Sequence, residues 1–229
     1  RMSMCAACKL ADASKRNWKS GSSKKGIRTP TDNKPGAGTS CDHLISHEPG
    51  LMPQVTGRLT HKRYCGAAIF TDHYSDLIYP HLIQSTSMEE TMEGKYAYER
   101  FAHHHGVKIK HYRGDNMRYN ETDFIDSCKQ TNQKFNYCGV GAHHQNGLAE
   151  AKNKTLAYGA RTLILHAKRR WPHAITTILW LYALKSACAS YDQLHLDKYG
   201  ASPESKFASV DHTPILSHQH PWRYSVLIL

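Results

Sequence analysis

Three acidic residues stand in surroundings where a carboxylate can do chemistry. Asp42 interrupts an apolar, strand-like stretch, Thr39-Ser40-Cys41-Asp42-His43-Leu44-Ile45. Asp115 lies in the turn Gly114-Asp115-Asn116, just after a second strand-like stretch, and Glu150 sits in the first turn of a long helical segment. A carboxylate among buried neighbours is costly unless a cation compensates it. Carboxylate oxygens suit Mg²⁺, which keeps waters for a substrate to displace. Two such ions about 3.5–4 Å apart can activate an attacking oxygen and stabilise a leaving one in phosphoryl transfer. Each acid also has a plainer role: Asp42 as a strand-end cap, Asp115 as a turn residue, Glu150 as a helix N-terminal acid favoured by the dipole. Chemistry is argued only by the three together.

The elements that would position them read as follows. Thr39 to Ile45, Tyr64 to Thr71 and Leu77 to Ile83 are strand-like, the last two joined by the polar turn Asp72 to Asp76. Two hairpin-linked strands after a first strand suggest antiparallel pairing. A helix is expected from Ser87 to His104, with Ser87 and Glu90 as a capping box and Gly106 as its end. A fourth strand, Val107 to Tyr112, leads to Asp115. A short helix, Thr122 to Thr131, and a fifth strand, Phe135 to Cys138, follow. After the loop Gly139 to Gly147 a long helix runs to Lys168. Trp171-Pro172 breaks it, and a last helix reaches Tyr191. The order implies an α/β fold: a mixed five-stranded sheet with helices on both faces. Strands one and four would be central neighbours, so their two Asp could meet beside Glu150.

The chain of 229 residues carries a net charge of +11, unevenly placed. Residues 1–37 hold +7 of it and lack apolar periodicity, so they read as a basic arm. Residues 38–197 form the expected core, and residues 198–229, with Gly200, Pro203, Pro214 and Pro221, read as a loose tail. A basic arm on a nearly balanced globule suggests a polyanion such as nucleic acid, with a merely solvated linker as the plainer reading. Seven cysteines, an odd number and scattered apart from the close pair Cys5 and Cys8, suit a reducing compartment better than a disulfide scaffold. No apolar run approaches the ~20 residues of a membrane helix. The first residue is Arg1, which suggests a piece of a longer product.

The stretch Gly139-Val140-Gly141-Ala142-His143-His144-Gln145-Asn146-Gly147-Leu148-Ala149-Glu150 resembles the H-x-Q-N-G-x-x-E signature of copia-type LTR retrotransposon integrases. Thirty-four residues separate Asp115 from Glu150, close to the spacing in the DDE motif of that family. Ile69 to Ser75, Tyr112 to Asn116, Ala160 to Leu163, Trp171-Pro172, Leu179 to Leu184 and Gly200 to Pro203 resemble further family segments, so the likeness spans nearly the whole chain.

The resemblance implies an RNase H-like fold and a polynucleotidyl transferase made as part of a polyprotein. It would trim DNA 3′ ends and join them to target DNA, with double-stranded DNA as partner, no membrane, and a homo-oligomer as the working form. Asp42, Asp115 and Glu150 take the places of the ligands for two Mg²⁺ (or Mn²⁺) ions. Asp72 is a rival for the first ligand, although its place in the family pattern binds no metal. Gln145 and Asn146 lie in a loop that approaches DNA in the family, with ordinary turn chemistry as the plainer reading. Lys154 and Arg161 share a helix side with Glu150 and could meet phosphate, or be solvated cations. Cys5-Ala6-Ala7-Cys8 is similar to the second half of the family's His-His-Cys-Cys zinc module. It gives an incomplete Zn²⁺ site unless a His pair precedes it in a longer protein. Nucleus and cytoplasmic virus-like particle are the implied locations. Departures are Met117, where the family has Gly, and Ala151, where it has a basic residue. They leave a catalytically inactive nucleic-acid-binding remnant of a decayed element as the alternative. The run His103-His104-His105 reads as a helix end, and Trp171 and Trp180 as core aromatics.

Overall fold

The computed structural model describes residues 5–11, 33–51, 62–114, 122–137 and 147–210. A short helix, α1 (Ala6–Ala11), precedes β1 (Thr39–Gly50), β2 (Tyr64–Asp72) and β3 (Ile78–Ile83). Then come α2 (Met88–His104), β4 (His111–Gly114), α3 (Thr122–Gln130) and β5 (Lys134–Tyr137). The long α4 (Gly147–Arg170), a 3₁₀ turn at Thr177–Leu179, α5 (Trp180–Leu194) and α6 (Pro203–Ala208) complete the order.

The strands form one mixed sheet in the order β3-β2-β1-β4-β5. β2 pairs antiparallel with both β1 and β3, while β4 runs parallel to β1 and β5 parallel to β4. Parallel neighbours need crossover connections, and α2 and α3 supply them. β1 is therefore the central strand and carries Asp42 opposite Ile69.

Helices cover both faces, so β2 is apolar on both sides. Alternation sends Ala68 and Phe70 into one core and Ala67 and Ile69 into the other. The first core joins Phe70, Tyr98, Tyr112 and Phe124. Phe70 and Tyr98 stack at 5.0 Å, and Tyr112 meets Phe124 edge-on at 5.6 Å. The second core joins the sheet to Leu156 and Ala160 of α4 and Leu181, Leu184 and Cys188 of α5.

Lys95 is fully buried in the first core, where its ammonium pairs with Glu99 at 2.8 Å and donates to Ser127 at 3.0 Å. Glu99 also accepts from the Tyr112 hydroxyl (3.0 Å) and from Gln133 Nε2 (2.7 Å), so α2, β4 and the loop before β5 meet at this one carboxylate.

Several boundaries differ from the sequence expectation. The fourth strand pairs over His111–Gly114, not Val107–Tyr112, because Lys108 to Lys110 run beside the Gly36 loop before the ladder begins. Ser87 caps α2 by accepting from the Glu90 N–H, but Glu90 returns its carboxylate to the Gln84 N–H, so the box is half formed. Within the stretch read as a loose tail, Ser202 caps α6, Pro203 occupies its first turn, and Phe207 is fully buried against Phe101. Pro203 starts a helix there because its missing N–H is one that the first turn leaves unused. His105 closes α2 by bonding Phe101 O through Nδ1 at 2.9 Å, in keeping with a helix-end role for the histidine run. Trp180 packs as a core aromatic, whereas Trp171 is exposed beside Arg170.

Candidate functional site

Strand alternation decides which β1 side chains face which helix. His43 points toward α2, where its Nε2 lies 3.1 Å from Thr91 Oγ1. Asp42 points the other way, toward α4, and Asn153 Nδ2 donates to its Oδ2 at 2.8 Å. The other carboxylate oxygen accepts the His43 N–H at 2.8 Å. Asp42 is half-buried, and its carboxylate accepts from both Asn153 and the His43 N–H.

Asn153 lies three residues after Glu150 on α4, and residues at that spacing share a helix face. Glu150 is half-buried in the helix's first turn. The Asn153 amide is oriented by its donation to Asp42, which leaves Oδ1 buried without a hydrogen-bond partner among the described residues. A lone acceptor beside a carboxylate suits a hydrated cation, whose waters are donors. The donor set around Asp42 thus fits a hard divalent ion.

Asp72, the rival to Asp42, is fully buried and committed elsewhere. Its Oδ1 accepts the Gly36 N–H at 2.8 Å, and its Oδ2 accepts from the Ser75 N–H (2.8 Å), the Ser75 hydroxyl (2.7 Å) and the Tyr74 N–H. Burial raises its pKa against the pull of those donors. It anchors the β2–β3 turn to the Gly36 loop. Gly36 has φ +75°, and a Cβ there would meet Lys108 O at 2.5 Å, so only glycine fits this close approach.

Among the other candidates, Lys154 is exposed on α4. Arg161 is also exposed, and its Nη1 donates to Ala11 O at 3.2 Å, closing the C-terminal end of α1. Asp115, Gln145, Asn146 and Met117 lie outside the described residues. Cys5 and Cys8 come together, with their sulfurs 3.1 Å apart, and His166 of α4 joins them at 3.3 Å from Cys5 Sγ.

Sequence reasoning missed two of these contributors. Asn153 could have been found as the polar residue one turn after Glu150 on the same face. His166 lies 158 positions from Cys8, and no local pattern pairs them.

No protein-family model matches the sequence, and no curated protein does. Solved structures do match in shape. The HTLV-2 integrase catalytic core domain in complex with magnesium aligns over 76% of this chain and 97% of its own, at 15% identity and a TM-score of 0.52. The BIV integrase catalytic core aligns over 76% and 95%, at 12% identity and a TM-score of 0.52. A chain of the simian T-cell lymphotropic virus intasome aligns over 80% of this chain and 57% of its own, at 14% identity and a TM-score of 0.55. The mixed sheet, its strand order and these likenesses together give the chain the RNase H-like fold of retroviral integrase catalytic cores.

Proposed function

We propose that this chain is the catalytic core of a copia-type integrase from a retrotransposon polyprotein, carrying out DNA 3′-end processing and strand transfer. The observation that carries the reading is the Asn153–Asp42 hydrogen bond, which draws the start of α4 onto the central strand. Glu150 belongs to the same helix face, one turn back. The parallel register supports the third member. Ser40 pairs with Arg113, and Asp42 and Asp115 each lie two residues beyond that pair. In this reading the equal offset of the two Asp from that pair in sequence is the ground for bringing them together.

In this reading Asp42, Asp115 and Glu150 present carboxylate oxygens to two divalent ions, Mg²⁺ or Mn²⁺. Bound there, the ions supply Lewis-acid activation of the attacking oxygen and charge stabilisation of the leaving one. Asn153 fixes the orientation of the Asp42 carboxylate. Lys154 and Arg161 offer cations to DNA phosphates along α4, and Gln145 and Asn146 approach the DNA from the loop before it. The basic arm adds salt-sensitive affinity for double-stranded element ends and target DNA. The HTLV-2 core is known in dimeric and trimeric forms, which favours a homo-oligomer here. A nuclear site of action, reached from a cytoplasmic virus-like particle, accompanies the reading.

The test is incubation of the purified chain with duplex DNA ending in the element's termini, with Mg²⁺ or Mn²⁺. Divalent-dependent nicking and joining, abolished by Asp115→Asn with DNA binding retained, is the expected result. DNA binding without any divalent-dependent cleavage would leave the inactive-remnant reading. Cleavage confined to RNA–DNA hybrids would replace both with a nuclease of the RNase H type.

A further inference from the structure

We propose that the lysines gathered at the start of β4 and β5 form a binding site for a compact polyphosphate. Lys108, Lys110 and Lys134 line a cavity of about 530 Å³ together with Ala37, His111 and Asn132. Lys34 adds a fourth ammonium beside Lys110. No lining residue is acidic. Among the described residues none of these four lysines has an ion-pair partner, whereas Lys95, Lys129, Lys152 and Lys206 each have one.

The backbone holds the cluster together against its own repulsion. Gly36 packs so closely on the stretch before β4 that a Cβ there would meet Lys108 O at 2.5 Å, and its carbonyl accepts the Lys110 N–H at 2.8 Å. That contact brings the turn carrying Lys34 onto Lys110. Alternation sends Ile109 into the first core and leaves Lys108 and Lys110 exposed on the other side. The Lys134 N–H donates to Lys110 O at 2.8 Å, which sets the start of β5 beside them. Like charges held close disfavour one another's charged form. Repulsion from Lys34 accordingly lowers the pKa of Lys110, and Lys108 adds to the effect. A bound polyanion removes that repulsion and ties three chain segments together.

The shape of the site selects the ligand. Its volume lies in the range of small-molecule pockets, about 300–1,000 Å³. Ammonium groups converging on one concavity suit several phosphates carried on a small frame. A duplex presents its phosphates along the outside of a rod instead. No Phe, Tyr or Trp lines the cavity, so the stacking platform that single-stranded nucleic acid uses is missing. Lys110 precedes β4 and Asp115 follows it, so the cavity lies at the opposite end of that strand from the proposed metal site. The inference does not depend on the integrase reading.

The experiment titrates the full chain, in EDTA and near-physiological salt, with inositol hexakisphosphate and separately with inorganic tripolyphosphate. Calorimetry should show one site, and the melting temperature should rise with ligand concentration, as for any ligand that binds only the folded state. Lys110→Gln and Lys134→Gln should each weaken binding by roughly tenfold or more, since each removes one charge-assisted contact. Lys24→Gln with Lys25→Gln, in the basic arm, should change it little. Acetylation footprinting of the unaltered chain gives a second readout, with Lys34, Lys108, Lys110 and Lys134 protected by the ligand, should a variant fail to fold. Absence of binding, or equal losses from arm and cavity variants, would overturn the proposal. Duplex DNA protecting these four lysines while neither polyphosphate does so would also overturn it, in favour of a nucleic-acid surface. None of these results bears on the acidic triad.

Discussion

Asp192 should make the fold more stable as the pH falls toward 4, against the usual trend for acids. It sits on α5, where Oδ1 accepts the Ile78 N–H at 3.0 Å and Oδ2 accepts from the Cys188 thiol at 3.4 Å. Burial raises its pKa from 3.8 to about 7, aided by Glu204 and opposed by its two donors and by Lys152. The folded state therefore disfavours the ionised form. The penalty is absent below the unfolded pKa, grows as pH rises, and is complete above about 7. At ~1.4 kcal/mol per pKa unit, the ceiling is about 4 kcal/mol. Asp192→Asn keeps an oxygen for the Ile78 N–H and removes the charge. Urea denaturation followed by circular dichroism at pH about 4, 6 and 8 isolates the effect as the difference between variant and parent. The variant should gain a few kcal/mol at the highest pH and little at the lowest. A difference independent of pH would refute the reasoning.

Three further outcomes follow from particular contacts. Asn153→Leu removes a hydrogen bond to an ionised carboxylate, worth about 1.5–3 kcal/mol. Strand-transfer activity of the folded variant should fall by at least tenfold, alongside a drop of several degrees in melting temperature, and an unaltered rate would contradict the positioning role. Glu99→Gln leaves the Lys95 ammonium buried without its counter-charge, so chemical denaturation should show a loss of about 3 kcal/mol or more. Gly36→Ala forces a positive φ and a clash with Lys108 O, and a drop of about 1–3 kcal/mol in unfolding free energy is expected by the same method.

The parts of the fold legible in the sequence are those where one physical signal dominates. Tyr64 to Thr71 and Leu77 to Ile83 are nearly continuous apolar runs parted by a polar turn, and they form β2 and β3. Ser87 marked the start of α2 because a capping hydroxyl acts locally. β4 was misplaced because Ile109 is as buried as a strand residue, while its ladder starts only at His111. α6 was missed because Pro203 and Gly200 read as breakers, and the burial of Phe207 depends on Phe101 far away in the chain. The same limit applies to the site. Asp42 stood out as an acid within a strand. Its partner Asn153, and the contact of His166 with Cys5, are defined across more than 100 residues, which no sequence period encodes.

The most direct measurement is an experimental structure of the chain grown with Mn²⁺, read through the metal's anomalous signal. The account predicts manganese bound between the carboxylates of Asp42, Asp115 and Glu150, with Asn153 still bonded to Asp42. Manganese bound elsewhere, or Glu150 turned away from an Asp42 that binds none, would contradict it.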